Sequence, residues 1–262
     1  MPSTVLTSPL IEVKGISKSY GAVRALRHAD FTVRAGEVVA IAGDNGAGKS
    51  TLLKILSGII SSDGGEILFE GTPVAIHSPT AATKLGIQTV YQELSLCGNL
   101  DTVENIFLGR EHRNKFWGFF RLSRPKMERD ARSMLDELEI RIEKIDSPVS
   151  MLSGGQRQCV AVCRAILGNP KVVILDEPTA ALGVTQTRDV LKLIDHLRSQ
   201  GRGVILVSHD LAEVLRIADR VVVLRRGTSV ADKPTAEWTE QSLVAAITGA
   251  TALDLGDSVE GA

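Results

Sequence analysis

The feature of this sequence that most constrains its fold is the glycine-rich segment GDNGAGKST at residues 43–51. It follows the apolar run Val38–Ala42, which is typical of a buried strand, and precedes Leu52–Leu56, whose apolar spacing favours a core-facing helix. Glycines let the backbone of such a loop close around an anion, and the N-terminus of the following helix adds partial positive charge. The order of strand, loop and helix therefore predicts a site for the phosphates of a nucleoside triphosphate.

Individual side chains of this phosphate loop have predicted roles. Lys49 would reach the β- and γ-phosphates, and Ser50 would place its hydroxyl on Mg²⁺. The other predicted nucleotide contacts in the loop are Gly43, Asn45, Gly46, Gly48 and Thr51. The alternative is a turn that merely connects a strand to a helix. The glycines, the lysine, the hydroxyl and the flanking elements all occur together, which argues against that alternative.

Composition argues against several other classes of protein. The 262 residues carry a formal net charge of −1, so we predict no nucleic-acid partner. The first residues lack the basic and apolar regions of a signal peptide, and no apolar run approaches the roughly 18 residues that cross a bilayer. Cys97, Cys159 and Cys163 form no CxxC pair and are interpreted as buried thiols. We expect a soluble, intracellular protein.

Tyr20 and Gln92 are candidate site residues on either side of the phosphate loop. Turn residues separate the strands expected here, at 10–13, 24–33, 37–42 and 87–91, and a hairpin around a glycine turn is expected at 64–76. Tyr20 lies in a predicted turn, where its ring could stack on a purine base or be partly buried. Gln92 follows a predicted strand, where it could contact Mg²⁺ or water, or simply be solvated.

Residues 93–168 differ in character from the rest of the chain. Thr102–Leu108 and Lys126–Leu138 have helical periodicity and polar starts, so we predict a helical subdomain inserted into the α/β core. The FWGFF cluster at 116–120 holds half of the six phenylalanines and one of the two tryptophans. It could be an exposed apolar patch that docks a partner, or a loop that packs back on its own helices.

The segment LSGGQ at 152–156 opens a predicted helix that ends at Leu167. Ser153 is a good N-cap, and Gly154 and Gly155 expose backbone N–H groups at the helix N-terminus. The segment is therefore a second candidate anion site. A helix cap with a flexible entry is the alternative.

Two further apolar strands end in side chains suited to phosphate chemistry. Lys171–Leu175 ends in Asp176, which could hold Mg²⁺ through water, and Glu177, which could take a proton from an attacking water. Gly203–Val207 leads to His209, which we place at the same edge of the sheet and near a γ-phosphate.

The phosphate loop, LSGGQ and the strand ending in Asp176-Glu177, in this order, resemble the ATP-binding subunits of ABC transporters. The resemblance runs from about Leu10 to Ile247. It implies an α/β fold: a P-loop NTPase (RecA-like) core with an antiparallel β subdomain and an inserted α-helical subdomain. The single domain would comprise a nucleotide-binding core at 10–92 and 169–235, a helical signature subdomain at 93–168, and a C-terminal helix and polar tail at 236–262.

The resemblance also implies site roles. Two copies would dimerise head to tail, with the γ-phosphate of ATP between the phosphate loop of one copy and LSGGQ of the other. Glu177 would be the general base, His209 would hold the γ-phosphate and the attacking water, and Tyr20 would stack on adenine. The signature contacts would be Ser153, Gly154, Gly155 and Gln156, and the Mg²⁺ ligands would be Ser50, Gln92 and Asp176.

Finer resemblance points to the ATPases of ribose, xylose and fructose importers, to which VYQEL at 90–94, NIFLGRE at 105–111 and EPTAALGV at 177–184 are similar. It implies a homodimeric ATPase at the cytoplasmic face of the inner membrane. The ATPase would drive monosaccharide import through permease subunits, its direct partners, and would work indirectly with a solute-binding protein. Gly183 replaces an aspartate that, in many family members, contacts the partner's site across the dimer interface, so the resemblance leaves the strength of coupling between the two sites open. The alternatives are a non-transport ABC ATPase acting on ribosomes or DNA, or an importer of another solute.

Overall fold

The structure is a computed structural model that describes residues 8–116 and 119–250. Its strands are β1 (Ile11–Tyr20), β2 (Val23–Val33), β3 (Val38–Ala42), β4 (Gly64–Phe69), β5 (Thr72–Val74), β6 (Ile87–Val90), β7 (Arg113–Phe116), β8 (Phe119–Leu122), β9 (Val172–Asp176), β10 (Gly203–Val207), β11 (Arg220–Arg225) and β12 (Thr228–Pro234). Its α-helices are α1 (Lys49–Leu56), α2 (Pro79–Leu85), α3 (Thr102–Phe107), α4 (Arg124–Glu137), α5 (Gly154–Ile166), α6 (Val184–Ser199), α7 (Leu211–Ile217) and α8 (Glu240–Thr248).

A parallel sheet with the strand order β11-β3-β10-β9-β6 lies at the centre of the fold. β3 and β10 are buried along their whole length, and β9 is buried except at its last residue. Their near-continuous Val, Ile, Leu and Ala composition suits strands that are covered on both faces. Because the strands run in one direction, their carboxyl ends meet at one edge of the sheet.

An antiparallel part, in the order β5-β4-β1-β2, extends this sheet to ten strands. β12 links the two parts: it pairs antiparallel with β11 along its length and with β2 only at Thr228 and His28. The predicted α/β core with an antiparallel β subdomain is therefore present.

Two apolar cores lie on opposite faces of the central sheet. Val38, Ala40 and Ala42 of β3 belong to the core that includes α3, α4, α5 and α6. Val39 and Ile41, which point to the other face, belong to the core under α1 and the antiparallel strands. The central sheet thus holds both the phosphate loop and the helical region in place.

The 93–168 region contains α3, α4 and α5, close to their predicted bounds, and also a hairpin of β7 and β8 that the sequence did not predict. These two strands pair antiparallel in a separate two-stranded sheet, with Phe116 opposite Phe119 in the backbone register. Trp117 and Gly118 lie outside the described residues, as do the side chains of 114–121. Both interpretations of the FWGFF cluster stay predictions, and of its residues Phe116, Phe119 and Phe120 lie in strands.

The predicted bounds were wrong at the start of the chain. β1 continues seven residues past Val13 because β2 and β4 flank it, and register shifts break its alternation of apolar and polar residues. Tyr20 therefore ends a strand, paired with Val23, instead of lying in a turn. The predicted polar tail at 256–262 is outside the described residues. Of the helices in 8–116 and 119–250, none is long and apolar enough to cross a bilayer.

Candidate active site

The carboxyl ends of four neighbouring strands carry the predicted site residues. β3 leads into the phosphate loop and β10 leads to His209. β9 ends at Asp176 and is followed by Glu177, and Gln92 follows β6. Since the strand order is β3-β10-β9-β6, segments distant in the sequence meet at one edge, where open α/β sheets bind ligands.

Close packing explains two glycines of the phosphate loop. A side chain at Gly43 would come within 2.3 Å of the Leu224 carbonyl oxygen, and one at Gly48 within 2.7 Å of the Ala25 carbonyl oxygen. Gly48 also has a φ of 109°, in the left-handed region. It is the N-cap of α1, and its position leaves that helix with no side-chain cap. The first N–H groups of α1 therefore remain available to an anion.

Lys49 is the buried cation of this loop. It is 6% exposed, and its Nζ donates to the carbonyl oxygens of Gly43 at 2.6 Å and Asp44 at 3.1 Å. Burial lowers the pKa of Lys49, and the carboxylates of Glu177, Asp44 and Asp176 oppose that shift. A bound phosphate group would offer Lys49 Nζ a charged oxygen in place of these neutral carbonyl oxygens. Hydrogen bonds to a charged acceptor are stronger.

Glu177 and His209 contact each other directly, with His209 Nε2 2.6 Å from Glu177 Oε1. Glu177 has a φ of 51°, an unfavourable conformation for a residue with a side chain, and its N–H donates to the Val207 carbonyl at 2.8 Å. That bond ties the end of β9 to the end of β10. The structure thus brings together the two side chains predicted to act on the γ-phosphate and water.

Asp176 is half-buried beside this pair. Burial raises the pKa of Asp176 and the Glu177 carboxylate raises it further, whereas Lys49, His209 and Lys54 lower it. Within the described part of the chain, no group of three or more His, Cys, Asp or Glu side chains could hold a metal ion. A cation at this edge would therefore need ligands of other kinds, as Mg²⁺ has when it binds phosphates together with one or two carboxylates.

The remaining predicted contacts lie around the mouth of the loop. Tyr20 is 48% exposed at the tip of the β1–β2 hairpin. The same hairpin approaches Gly48 through Ala25. Asn45, Gly46, Ser50 and Gln92 are exposed, and Thr51 is partly exposed. These positions are open to a nucleotide, and their contacts with it stay predictions.

The LSGGQ segment forms a capped helix start. Ser153 Oγ accepts from the Gln156 N–H at 3.2 Å, and Gln156 Oε1 accepts from the Ser153 N–H at 3.0 Å, which is a capping box. Among residues 8–116 and 119–250, no hydrogen bond or ion pair joins 152–156 to the phosphate loop. The two candidate anion sites are therefore not linked by such a contact within one chain.

Packing on α6 gives the signature glycines a structural role that sequence analysis missed. A side chain at Gly154 would come within 2.9 Å of Leu182 Cδ2, and one at Gly155 within 2.9 Å of Gln186 Cβ. Gly183, between these two neighbours, is the N-cap of α6 without a side-chain bond, and a side chain there would meet open space. No sequence motif signals these contacts, because they depend on how α5 and α6 pack.

The prediction of buried thiols is confirmed for the two cysteines on α5 but not for Cys97. Cys159 and Cys163 are buried on α5, and Cys97 is partly buried. Burial raises the pKa of the Cys159 thiol to about 12 and raises that of Cys163 as well. Both α5 thiols are therefore protonated near neutral pH and lie in the apolar core.

Residues 26–180, more than half of the chain, match the family model described as ABC transporter. This range includes the phosphate loop, LSGGQ, Asp176 and Glu177. The chain belongs to the ABC transporter family. It is an ATP-binding subunit of that family and an ATPase.

Relatives of this ABC subunit match it over nearly its whole length. It is 44% identical to the xylose/arabinose import ATP-binding protein XylG of Sulfolobus acidocaldarius, over 92% of this chain and 94% of that protein. It is 46% identical to the fructose import ATP-binding protein FrcA of Rhizobium meliloti, over 92% of this chain and 95% of that protein. The ribose import ATP-binding protein RbsA 1 of Rubrobacter xylanophilus is 45% identical, but the chain spans only 44% of its length.

Solved structures confirm the fold of the ABC subunit. The ADP conformation of MJ1267, an ATP-binding cassette of an ABC transporter, superposes with a TM-score of 0.79 at 24% identity, over 95% of this chain and 98% of that one. The ATP-binding cassette MJ0796, dimeric in a post-hydrolysis state and bound to ADP and Pi, superposes with a TM-score of 0.72 at 26% identity. That match covers 86% of this chain and 98% of MJ0796.

Proposed function

We propose that this ATPase drives the import of a monosaccharide through a membrane permease. The observation that carries the proposal is the likeness, at 44% and 46% identity and over more than nine-tenths of both chains, to proteins named for xylose/arabinose and fructose import. The protein would act at the cytoplasmic face of the inner membrane, as a peripheral subunit.

The phosphate loop is proposed to bind ATP. The uncapped N-terminus of α1 and the buried Lys49 supply the positive potential that the β- and γ-phosphates need. Ser50, Gln92 and Asp176 would hold Mg²⁺, which would neutralise phosphate charge during transfer. The exposed Ser50 hydroxyl and the half-buried Asp176 carboxylate suit such a shared site, in which the nucleotide supplies the other oxygen ligands.

Glu177 is the proposed general base. Its carboxylate would accept a proton from the attacking water, whose oxygen bonds to the γ-phosphorus as the bond from that phosphorus to the β–γ bridging oxygen breaks. ADP and phosphate are the products. His209, which is half exposed and in contact with Glu177, would hold the γ-phosphate and orient the water. The contact between the two side chains places the proposed base and its partner within one hydrogen bond.

The complete site is proposed to need two copies of the chain. Ser153 is exposed at the start of α5, and Asn45, Gly46 and Ser50 are exposed at the phosphate loop. In a head-to-tail dimer, the partner's Ser153 and its neighbouring N–H groups would face the γ-phosphate bound by Lys49. The dimeric state of the MJ0796 cassette with ADP and Pi supports the pairing of two copies.

A groove beside Gln92 is the proposed docking site for the permease. It has a volume of about 250 Å³ and lies between residues 88–95 and α5. Its lining includes the apolar side chains Leu94, Leu108 and Ala161, and the charged side chains Glu93, Arg110 and Arg164. An amphipathic cytoplasmic helix of the permease would fit this chemistry. Tyr91 and Glu93, the two neighbours of Gln92, line the groove. A change in the position of Gln92 on nucleotide binding would therefore change the shape of the groove.

The test is to purify the tagged chain from membranes with its partners and to reconstitute them in proteoliposomes. We expect a multi-span permease and a sugar-binding protein to co-purify, and ATP to drive uptake of a pentose or hexose, with a disaccharide as the control solute. Glu177→Gln should assemble normally and fail to drive uptake. Recovery with ribosomes or DNA, or uptake only of a solute other than a monosaccharide, would contradict the proposal.

A further inference from the structure

The helix that follows His209 has an N-terminus that departs from the pattern of its sequence. α7 is N-capped by Asp210, whose carboxylate accepts from the Glu213 N–H at 3.0 Å. Aspartate followed three residues later by glutamate is the pattern of a capping box, in which the glutamate bends back to the N-cap N–H. α3 closes such a box: Glu104 Oε2 accepts from the Asp101 N–H at 3.1 Å.

Glu213 does not close the box in α7. The Asp210 N–H donates instead to Ser208 Oγ at 3.1 Å. The Glu213 carboxylate accepts from the hydroxyl of Thr179, with an Oγ1–Oε2 distance of 2.5 Å. Thr179 is 9% exposed, so its hydroxyl is largely shielded from water. Because Ser208 Oγ already accepts from the Asp210 N–H, the Glu213 carboxylate can bond to a different segment of the chain.

The segments joined by this contact are the two that carry the proposed catalytic pair. Thr179 follows Glu177 by two residues, and Glu213 follows His209 by four. Glu177 and His209 contact each other at 2.6 Å, so the Thr179–Glu213 bond closes a ring that runs through both segments. A hydrogen bond to a charged, partly buried acceptor is among the stronger ones in proteins.

We propose that Thr179 and Glu213 are positioning residues for ATP hydrolysis. Their bond holds the chain after Glu177 against α7, and so keeps the Glu177 carboxylate at a fixed distance from His209 and from the attacking water. Neither residue would contact the phosphates. The proposal rests on the proposed role of Glu177 as general base.

The experiment measures kcat and KM for ATP in Thr179→Val, Thr179→Ser, Glu213→Ala and the double variant Thr179→Val/Glu213→Ala. Small misplacements of catalytic groups cost up to about 100-fold in rate, so we expect the valine and alanine variants to lose about 10- to 100-fold in kcat. KM should change by less than about 3-fold because no phosphate ligand is removed. The double variant should be no slower than the slower single variant, since both remove one bond.

Two results distinguish positioning from simple loss of structure. Thr179→Ser keeps the hydroxyl and should retain kcat within about 3-fold of wild type. Thr83→Val is the matched control, because it removes a threonine hydroxyl that accepts a bond from Gln88 on an exposed surface, and it should leave kcat unchanged. Wild-type kcat in both Thr179→Val and Glu213→Ala would overturn the proposal, as would equal losses in Thr179→Ser and Thr179→Val. Glu177→Gln is measured alongside, and wild-type kcat in that variant would instead refute the proposed base.

Discussion

Two charged side chains at the sheet edge, the buried Lys49 and the half-buried Asp176, oppose the stability of the protein without nucleotide. Burial lowers the pKa of Lys49 and raises that of Asp176, so both charged forms are less favourable in the folded chain than in the unfolded chain. Between the ordinary pKa of Asp176 and its raised value, the folded state binds more protons than the unfolded state. The contribution of Asp176 to stability therefore falls as pH rises through that window, and at neutral pH its carboxylate is destabilising. Bound phosphates beside Lys49 and Mg²⁺ beside Asp176 would offset this loss of stability when the site holds nucleotide.

Asp176→Asn is predicted to raise the unfolding temperature of the nucleotide-free protein near pH 7.5, because the amide has a similar shape and no charge to bury. The gain should shrink as pH falls and the wild-type carboxyl becomes protonated. The measurement is thermal unfolding over a pH series without nucleotide or Mg²⁺. Exposed Asp146 supplies the control Asp146→Asn, which should change stability by less than about 0.5 kcal/mol. A lower unfolding temperature for Asp176→Asn would show that the carboxylate is stabilised by its neighbours.

Among the helices and strands, the sequence predicts those that have a clear local pattern of apolar residues. The apolar runs of β3, β9 and β10 identify buried parallel strands, and the residues just after them identify the site because strand ends share an edge. The β7–β8 hairpin was missed because its strands are four residues each and alternate weakly. The contacts of Thr179 with Glu213, and of Gly155 with Gln186, could not be predicted because they join segments brought together only by tertiary packing.

Gly155→Ala tests the packing of α5 on α6. The new methyl group would lie 2.9 Å from Gln186 Cβ at a buried position, so one helix must move. Overpacking costs about 1–3 kcal/mol, which exceeds the roughly 0.5–1 kcal/mol that alanine gains over glycine in a helix. We expect a net loss of stability in urea unfolding. Gly98→Ala, whose nearest neighbour would be 3.7 Å away, should change stability by less than about 0.5 kcal/mol. Equal stability of Gly155→Ala and wild type would mean that α6 can move away from the new methyl group with no loss in the free energy of unfolding.

At the level of the whole molecule, the proposed hydrolysis of ATP needs two chains for each site. A two-fold dimer uses the same surfaces on both copies, so a head-to-tail pair would form two equivalent sites, each with the phosphate loop of one copy and the partner's Ser153. The loop after Glu177 is placed to connect them, since Leu182 and Gln186 pack on the signature glycines of the same chain. A movement of Glu177 at one site would therefore displace the signature segment of the same chain, which forms part of the other site.

A mixture of two inactive variants tests whether each ATP site is shared between two chains. Lys49→Ala removes the phosphate-binding cation, and Ser153→Asp keeps a good N-cap for α5 but places negative charge against the γ-phosphate. Neither variant alone should hydrolyse ATP. In an equimolar mixture about half of the dimers are mixed, and each has one site with both residues intact, so turnover should reach about a quarter of the wild-type rate. Turnover no greater than the sum of the separate variants would contradict a site shared between two chains.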